Sequence, residues 1–114
     1  MSPHDRIRLQ HMCDAIDAAQ RFIGGRRRAD LDADEMLLFA LVRAVEIVGE
    51  AAGRVSAPGR DEVAIPWPAV VGMRNRLVHA YFDIDGDILW ATVTQSLPGL
   101  RVAITAGLSG ERGN

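Results

Sequence analysis

Between Leu37 and Val55 the residues Leu37, Leu41, Ala44, Val48, Ala51 and Val55 recur at steps of four, three, four, three and four. That rhythm marks one face of an α-helix and fits no strand, whose faces alternate every two residues. An apolar seam of this length has to be covered by other helices. The chain is therefore predicted to be all-α, an antiparallel up-and-down bundle of four to five helices. Its 114 residues give room for one domain, 1–114, around one core.

The remaining elements follow from the same reading. Leu9, Met12, Ile16, Ala19 and Ile23 place a first helix over residues 4–23, stopped by Gly24-Gly25. The acids of Asp30–Asp34 suit a helix start, and the second helix is predicted over Asp32–Val55. Ala57-Pro58-Gly59-Arg60-Asp61 reads as a break. Pro68 suits the first turn of a third helix, with Trp67 as a packing anchor. Asp83–Asp87, around Gly86, reads as a turn and N-cap, because it lacks the spacing and terminal glutamate of a calcium loop. Ile88 to Thr94 continues as helix, Pro98-Gly99 kinks or breaks it, and Leu100–Leu108 forms a last short helix. Residues 109–114 are expected to fray.

No apolar run is long enough to span a bilayer, so no membrane partner is expected. The start, Met1-Ser2-Pro3-His4-Asp5-Arg6, does not read as a secretory signal, and the single cysteine, Cys13, cannot close an intrachain disulfide. Both point to the cytoplasm, with Cys13 a small buried thiol. His4 and His11 are read as surface residues. The net charge of −2 argues against a general nucleic-acid coat, and no DNA partner is expected; any nucleic-acid site must be a local basic groove. Arg26-Arg27-Arg28 is either solvated loop charge or a phosphate grip, and the sequence leaves both open.

Chemistry concentrates in Arg74-Asn75-Arg76-Leu77-Val78-His79-Ala80-Tyr81. Read as helix, Trp67, Val70, Val71, Arg74, Leu77, Val78 and Tyr81 share one face, with Arg74 inside an apolar stripe. Asn75 and His79 stand four apart and can meet. Arg74 and His79, five apart, diverge by about 140° on a regular helix. Either the helix loosens near Ala80 or two copies of the chain pool their side chains in a homodimer. A guanidinium suits a phosphodiester and its more charged transition state, and an imidazole moves protons near neutral pH. Cleaving RNA without a metal needs a base for the 2′-hydroxyl and an acid for the departing 5′-oxygen, which two copies supply as two histidines. Asn75 would orient the imidazole or the phosphate, and Arg76 would contact RNA. The structural alternatives are a surface or capping histidine and a salt-bridged arginine. Likewise Arg43, Glu46 and Glu50 form either a surface salt-bridge row or, through Glu46 or Glu50, a support that fixes Arg74 or His79.

The spacing Arg74-x-x-x-x-His79-x-Tyr81 resembles the signature of HepT-like toxins in the HEPN superfamily. The flanks Ile65-Pro66-Trp67, Gly72-Met73, Phe82-Asp83-Ile84-Asp85 and Glu46-Ile47-Val48-Gly49-Glu50-Ala51 are similar to that family too, so the likeness runs from about Asp5 to Leu100. It implies a HEPN-like all-α homodimer that cleaves RNA without metal or cofactor, with Arg74, Asn75 and His79 in a composite site at the dimer interface. It implies the toxin of a type VII toxin–antitoxin pair. Its partner would be a MntA-type nucleotidyltransferase antitoxin that transfers AMP to Tyr81 and silences the nuclease. The alternative is a non-catalytic dimer, an antitoxin-like module that binds a nucleotide or a partner through the same groove.

Overall fold

A computed structural model describes the backbone of residues 1–112 and the side chains of residues 1–110. Its centre is helix α3, Glu35–Gly53. All six residues of the predicted seam are buried along it and just beyond its end. Helix α1, Pro3–Phe22, lies against α3 and buries Leu9, Met12, Ile16 and Ala19. The fold is all-α and HEPN-like, with one two-stranded exception at the motif.

Local chemistry sets the helix ends. Ser2 caps α1 by accepting the Asp5 N–H at 3.0 Å. Gly25 turns the chain out of α1 with φ of 73°, a left-handed conformation that suits glycine. The second helix does not start at Asp32. A single turn, α2 (Asp30–Ala33), comes first, and Asp34 leaves the helical region to cap α3, accepting the Leu37 N–H at 3.1 Å. The expected break after Val55 contains a helix instead, α4 (Ala57–Asp61), because Ser56 caps it and Pro58 sits in its first turn.

Asp5 ties the start of the chain to that cap. It is 1% exposed and accepts from the Ser56 N–H at 2.9 Å and the Ser56 hydroxyl at 2.5 Å. These donors, the backbone N–H foremost, hold its carboxyl below the ordinary carboxylate value. Gly59 makes the approach possible, since a Cβ there would stand 2.4 Å from Asp5 Oδ2. Trp67 is the anchor expected of it. Its indole N–H donates to the carbonyls of Arg60 (3.0 Å) and Val63 (3.1 Å). Arg60 lies 5.4 Å from the ring centre and donates to the Val55 and Ala52 carbonyls at the end of α3. Cys13 is buried, which pushes its thiol pKa up.

The C-terminal half departs from expectation at Pro98. Helix α7 (Gly86–Ala91) runs through a π-turn (Thr92–Ser96) into α8 (Leu97–Arg112), and the rod does not break. The Leu97 N–H reaches back five residues to the Thr92 carbonyl. Widening the turn accommodates a proline ring, and it leaves carbonyls to be satisfied from outside. Gln20 Nε2 of α1 donates to the Val93 carbonyl at 2.8 Å. Helix continues through Ser109–Arg112, where fraying was expected, and residues 113–114 lie outside the described residues. No helix among the described residues is long and apolar enough to cross a membrane.

Candidate active site

The motif does not lie on one continuous helix. It is split into α5 (Trp67–Val71) and α6 (Met73–Leu77), joined at Gly72. Helix ends at Leu77, earlier than the loosening considered near Ala80. The Leu77 carbonyl accepts the Asp85 N–H at 2.8 Å instead of a helical donor. Val78–Ala80 (β1) then pairs antiparallel with Asp83–Ile84 (β2), Val78 opposite Ile84 and Ala80 opposite Asp83, with an irregularity between them. Half-buried Val78 and Ile84 pack on the core and pin the hairpin. His79 is therefore a strand residue. The 140° divergence and the four-residue step from Asn75 to His79 do not apply to it.

The buried face also differs from the expected stripe. Trp67, Val70, Met73 and Leu77 are buried, whereas Val71 and Tyr81 are exposed. The junction at Gly72 puts Met73 in the core and leaves Arg74 at its edge. Arg74 is thus relieved of the desolvation that a place inside the stripe would impose. Its Nε donates to Glu46 Oε2 of α3 at 3.1 Å. The other Glu46 oxygen accepts from Arg43, so one carboxylate bridges two guanidiniums. Glu50 sits 3.8 Å from Arg43 and, among the described residues, bonds neither Arg74 nor His79.

Arg74 and Asn75 line an open groove of about 510 Å³ against α3, with Glu46, Glu50, Arg54 and Val71. Close packing shapes this groove: a Cβ on Gly49 would stand 3.2 Å from the Val71 carbonyl, so glycine lets α5 approach α3. Arg76 is exposed and donates to the Ala69 carbonyl at 3.4 Å. Asn75, His79 and Tyr81 are all exposed, Tyr81 at 87%. Among the described residues the His79 ring has no hydrogen-bond or ion-pair partner. An imidazole so placed can accept or donate a proton to an incoming group, and the Arg74 guanidinium keeps donors beyond Nε for an anion.

Two site features escaped the sequence reading. Arg54 lines the groove, and it was legible as the next step of four after Glu46 and Glu50. Phe82 is 83% exposed, yet its ring meets Phe39 of α3 edge-on, 5.9 Å between centres. Nothing in the sequence pairs those rings. The Arg26–Arg28 loop is largely neutralised: Arg26 pairs with Asp34 at 3.2 Å, and Arg28 with Asp87 at 2.7 Å and Asp32 at 3.3 Å. Asp85 caps α7 through the Ile88 N–H at 3.0 Å, as the turn-and-cap reading requires.

A family model described as ribonuclease HepT-like matches residues 12–106. The chain belongs to the HepT-like ribonuclease family. Among its HepT-like relatives, a protein named as a probable ribonuclease HepT from Thermococcus cleftensis is 35% identical over 94 residues, covering 82% of this chain and 86% of that one. A protein named as an inferred RNase from Caldanaerobacter subterraneus subsp. tengcongensis is 30% identical over 105 residues, covering 91% and 94%. Another so named, from Methanocaldococcus jannaschii, is 38% identical over 69 residues, covering 60% and 63%. No solved structure matches the chain.

Proposed function

We propose that this chain is a toxin-type endoribonuclease of the cytoplasm that works as a homodimer, and that AMP transfer to Tyr81 by a MntA-type nucleotidyltransferase antitoxin silences it. The observation that carries the reading is the division of labour at the motif. Glu46 holds Arg74 at the groove, while His79 stands exposed on the next element, without a hydrogen-bond or ion-pair partner among the described residues.

In the reaction, a His79 ring takes the proton of an RNA 2′-hydroxyl. The oxygen attacks the adjacent phosphorus, and the bond to the 5′-oxygen breaks. A second His79, from the other copy, returns a proton to that oxygen. The products are a 2′,3′-cyclic phosphate and a 5′-hydroxyl, so the step balances without water, metal or cofactor. Arg74 donates to the phosphate oxygens as their charge rises, and Asn75 orients the ring or the phosphate. Each chain carries a single histidine in the motif, which is why the reading needs two copies. Arg76, exposed next to Asn75, contacts the flanking backbone.

Tyr81 suits modification because its side chain is open to an approaching enzyme. An added AMP places negative charge two residues from His79, in a region that must accept a phosphodiester.

The test is purified protein with single-stranded RNA in the presence of a chelator, with the product termini identified. Cyclic phosphate and 5′-hydroxyl ends are expected. Mass spectrometry of the chain made together with its nucleotidyltransferase should find AMP on Tyr81. Intact RNA, with no growth arrest when the chain is expressed alone, would favour the partner-binding module instead.

A further inference from the structure

The ridge of α3 that borders the Arg74 groove has a second groove on its other flank, between α1 and α3. It holds about 340 Å³ and is lined by Arg8 and His11 of α1, Arg43 and Glu50 of α3, and Arg54 just past the end of α3. Glu50 and Arg54 line both grooves, so the two meet over one helix.

Its charge is not balanced among the described residues. Arg43 is taken up by Glu46 and Glu50. Among the described residues neither Arg8 nor Arg54 has a side-chain hydrogen-bond or ion-pair partner. Arg8 Nε is moreover buried with no acceptor. A buried donor left unpaired destabilises the fold. Elsewhere the chain avoids that cost: Arg28, Arg74 and Arg101 meet carboxylates, and Arg60 meets carbonyls. In a protein of net charge −2, two uncompensated guanidiniums flanking one groove mark it for an anion.

We propose that the α1–α3 groove is a second phosphate subsite, in which Arg8 and Arg54 grip the backbone of the same RNA strand beyond the phosphodiester held at Arg74. The inference rests on the ribonuclease reading. Planar guanidinium forks match phosphate oxygens, and Arg54, shared by both grooves, gives the strand a continuous path across α3. Such contacts hold and orient a strand without reading its bases.

The experiment measures binding of a labelled single-stranded RNA to the His79→Ala chain, which binds without cutting, across a range of salt. Arg8→Gln and Arg54→Gln, each added to that background, should weaken binding about 5-fold and lower the salt slope by about 0.7, the value for one lost phosphate contact on a single strand. Arg21→Gln removes an exposed arginine at the far end of α1 and should change neither. Arg54 is exposed, so its variant folds even where Arg8→Gln disturbs packing; melting curves check both. If Arg54→Gln and a folded Arg8→Gln behave like Arg21→Gln, the subsite is wrong. The ribonuclease reading then stands on cleavage by the unaltered chain. If the unaltered chain cuts no RNA and its His79→Ala form binds none, both readings fall together.

Discussion

Asp5 and His79 are both ionisable, and the chain treats them in opposite ways. Asp5 is sealed at the junction of α1 and α4, with Ser56 supplying two donors and Gly59 cleared of any side chain that would intrude. His79 stands on an exposed strand with no partner among the described residues. A satisfied buried charge stabilises one arrangement of the chain. An unsatisfied exposed ring does nothing for the fold and is free for a substrate. The contrast separates residues that hold the molecule together from residues that act.

His79→Ala should break that contrast most sharply. Cleavage should fall by about 10²–10⁴-fold, roughly 3–5 kcal/mol of barrier, while the melting temperature stays put. Cleavage that survives the change would remove His79 from the mechanism. Subunit mixing sharpens the same point. After exchange, a 1:1 mixture of unaltered and His79→Ala chains keeps about a quarter of the activity if each site needs both rings, and about half if each copy works alone.

Asp5→Ala should give the mirror image. Losing charge-assisted bonds and orphaning the Ser56 donors should cost about 2–3 kcal/mol of stability, read by urea denaturation, with cleavage per folded molecule unchanged. Acid tests the same group. The folded-state pKa of Asp5 lies below its unfolded value, so its stabilisation is complete above about pH 4 and is lost as pH falls through the lowered value. Denaturation curves for the Asp5→Asn chain should lack that contribution. Glu46→Gln should have the smallest effect. It keeps an acceptor for Arg74 but removes the charge between two arginines. Stability should shift by about 0.5 kcal/mol or less and cleavage by less than about 10-fold. A larger loss of cleavage would make Glu46 a positioning residue as important as the motif itself.

What could be read from the sequence was what neighbours in sequence decide. The seam of α3 and the apolar face of α1 follow from helical spacing. The acids at Asp34 and Asp85 act on amides three residues away. The hairpin was hidden because Leu77, Val78 and Tyr81 continue a helical rhythm; what ends the helix is the Asp85 N–H meeting the Leu77 carbonyl, a pairing no periodicity reports. The Asp5–Ser56 contact joins residues 51 apart, and Asp5 reads in isolation as an ordinary helix-start acid. Within the motif, the sequence located the residue types and narrowed the neighbour of Arg74 to Glu46 or Glu50, of which Glu46 makes the contact. It misplaced Arg74 in the apolar stripe because the junction at Gly72 shifts the buried face by one residue.

The wide turn at Thr92–Ser96 has a geometric consequence for everything after it. Leu89 and Leu108 both point into the core, nineteen positions apart along one rod. At about 100° per residue, a regular helix would leave them roughly a quarter-turn out of line. One residue looped into the wide turn absorbs that phase error and brings Leu97, Ile104 and Leu108 back toward the azimuth of Leu89. Winding those same residues into a regular helix would leave a smoother rod that faces the wrong way, with Leu108 turned toward water, whereas deleting one of them would straighten the rod and keep Leu108 in line.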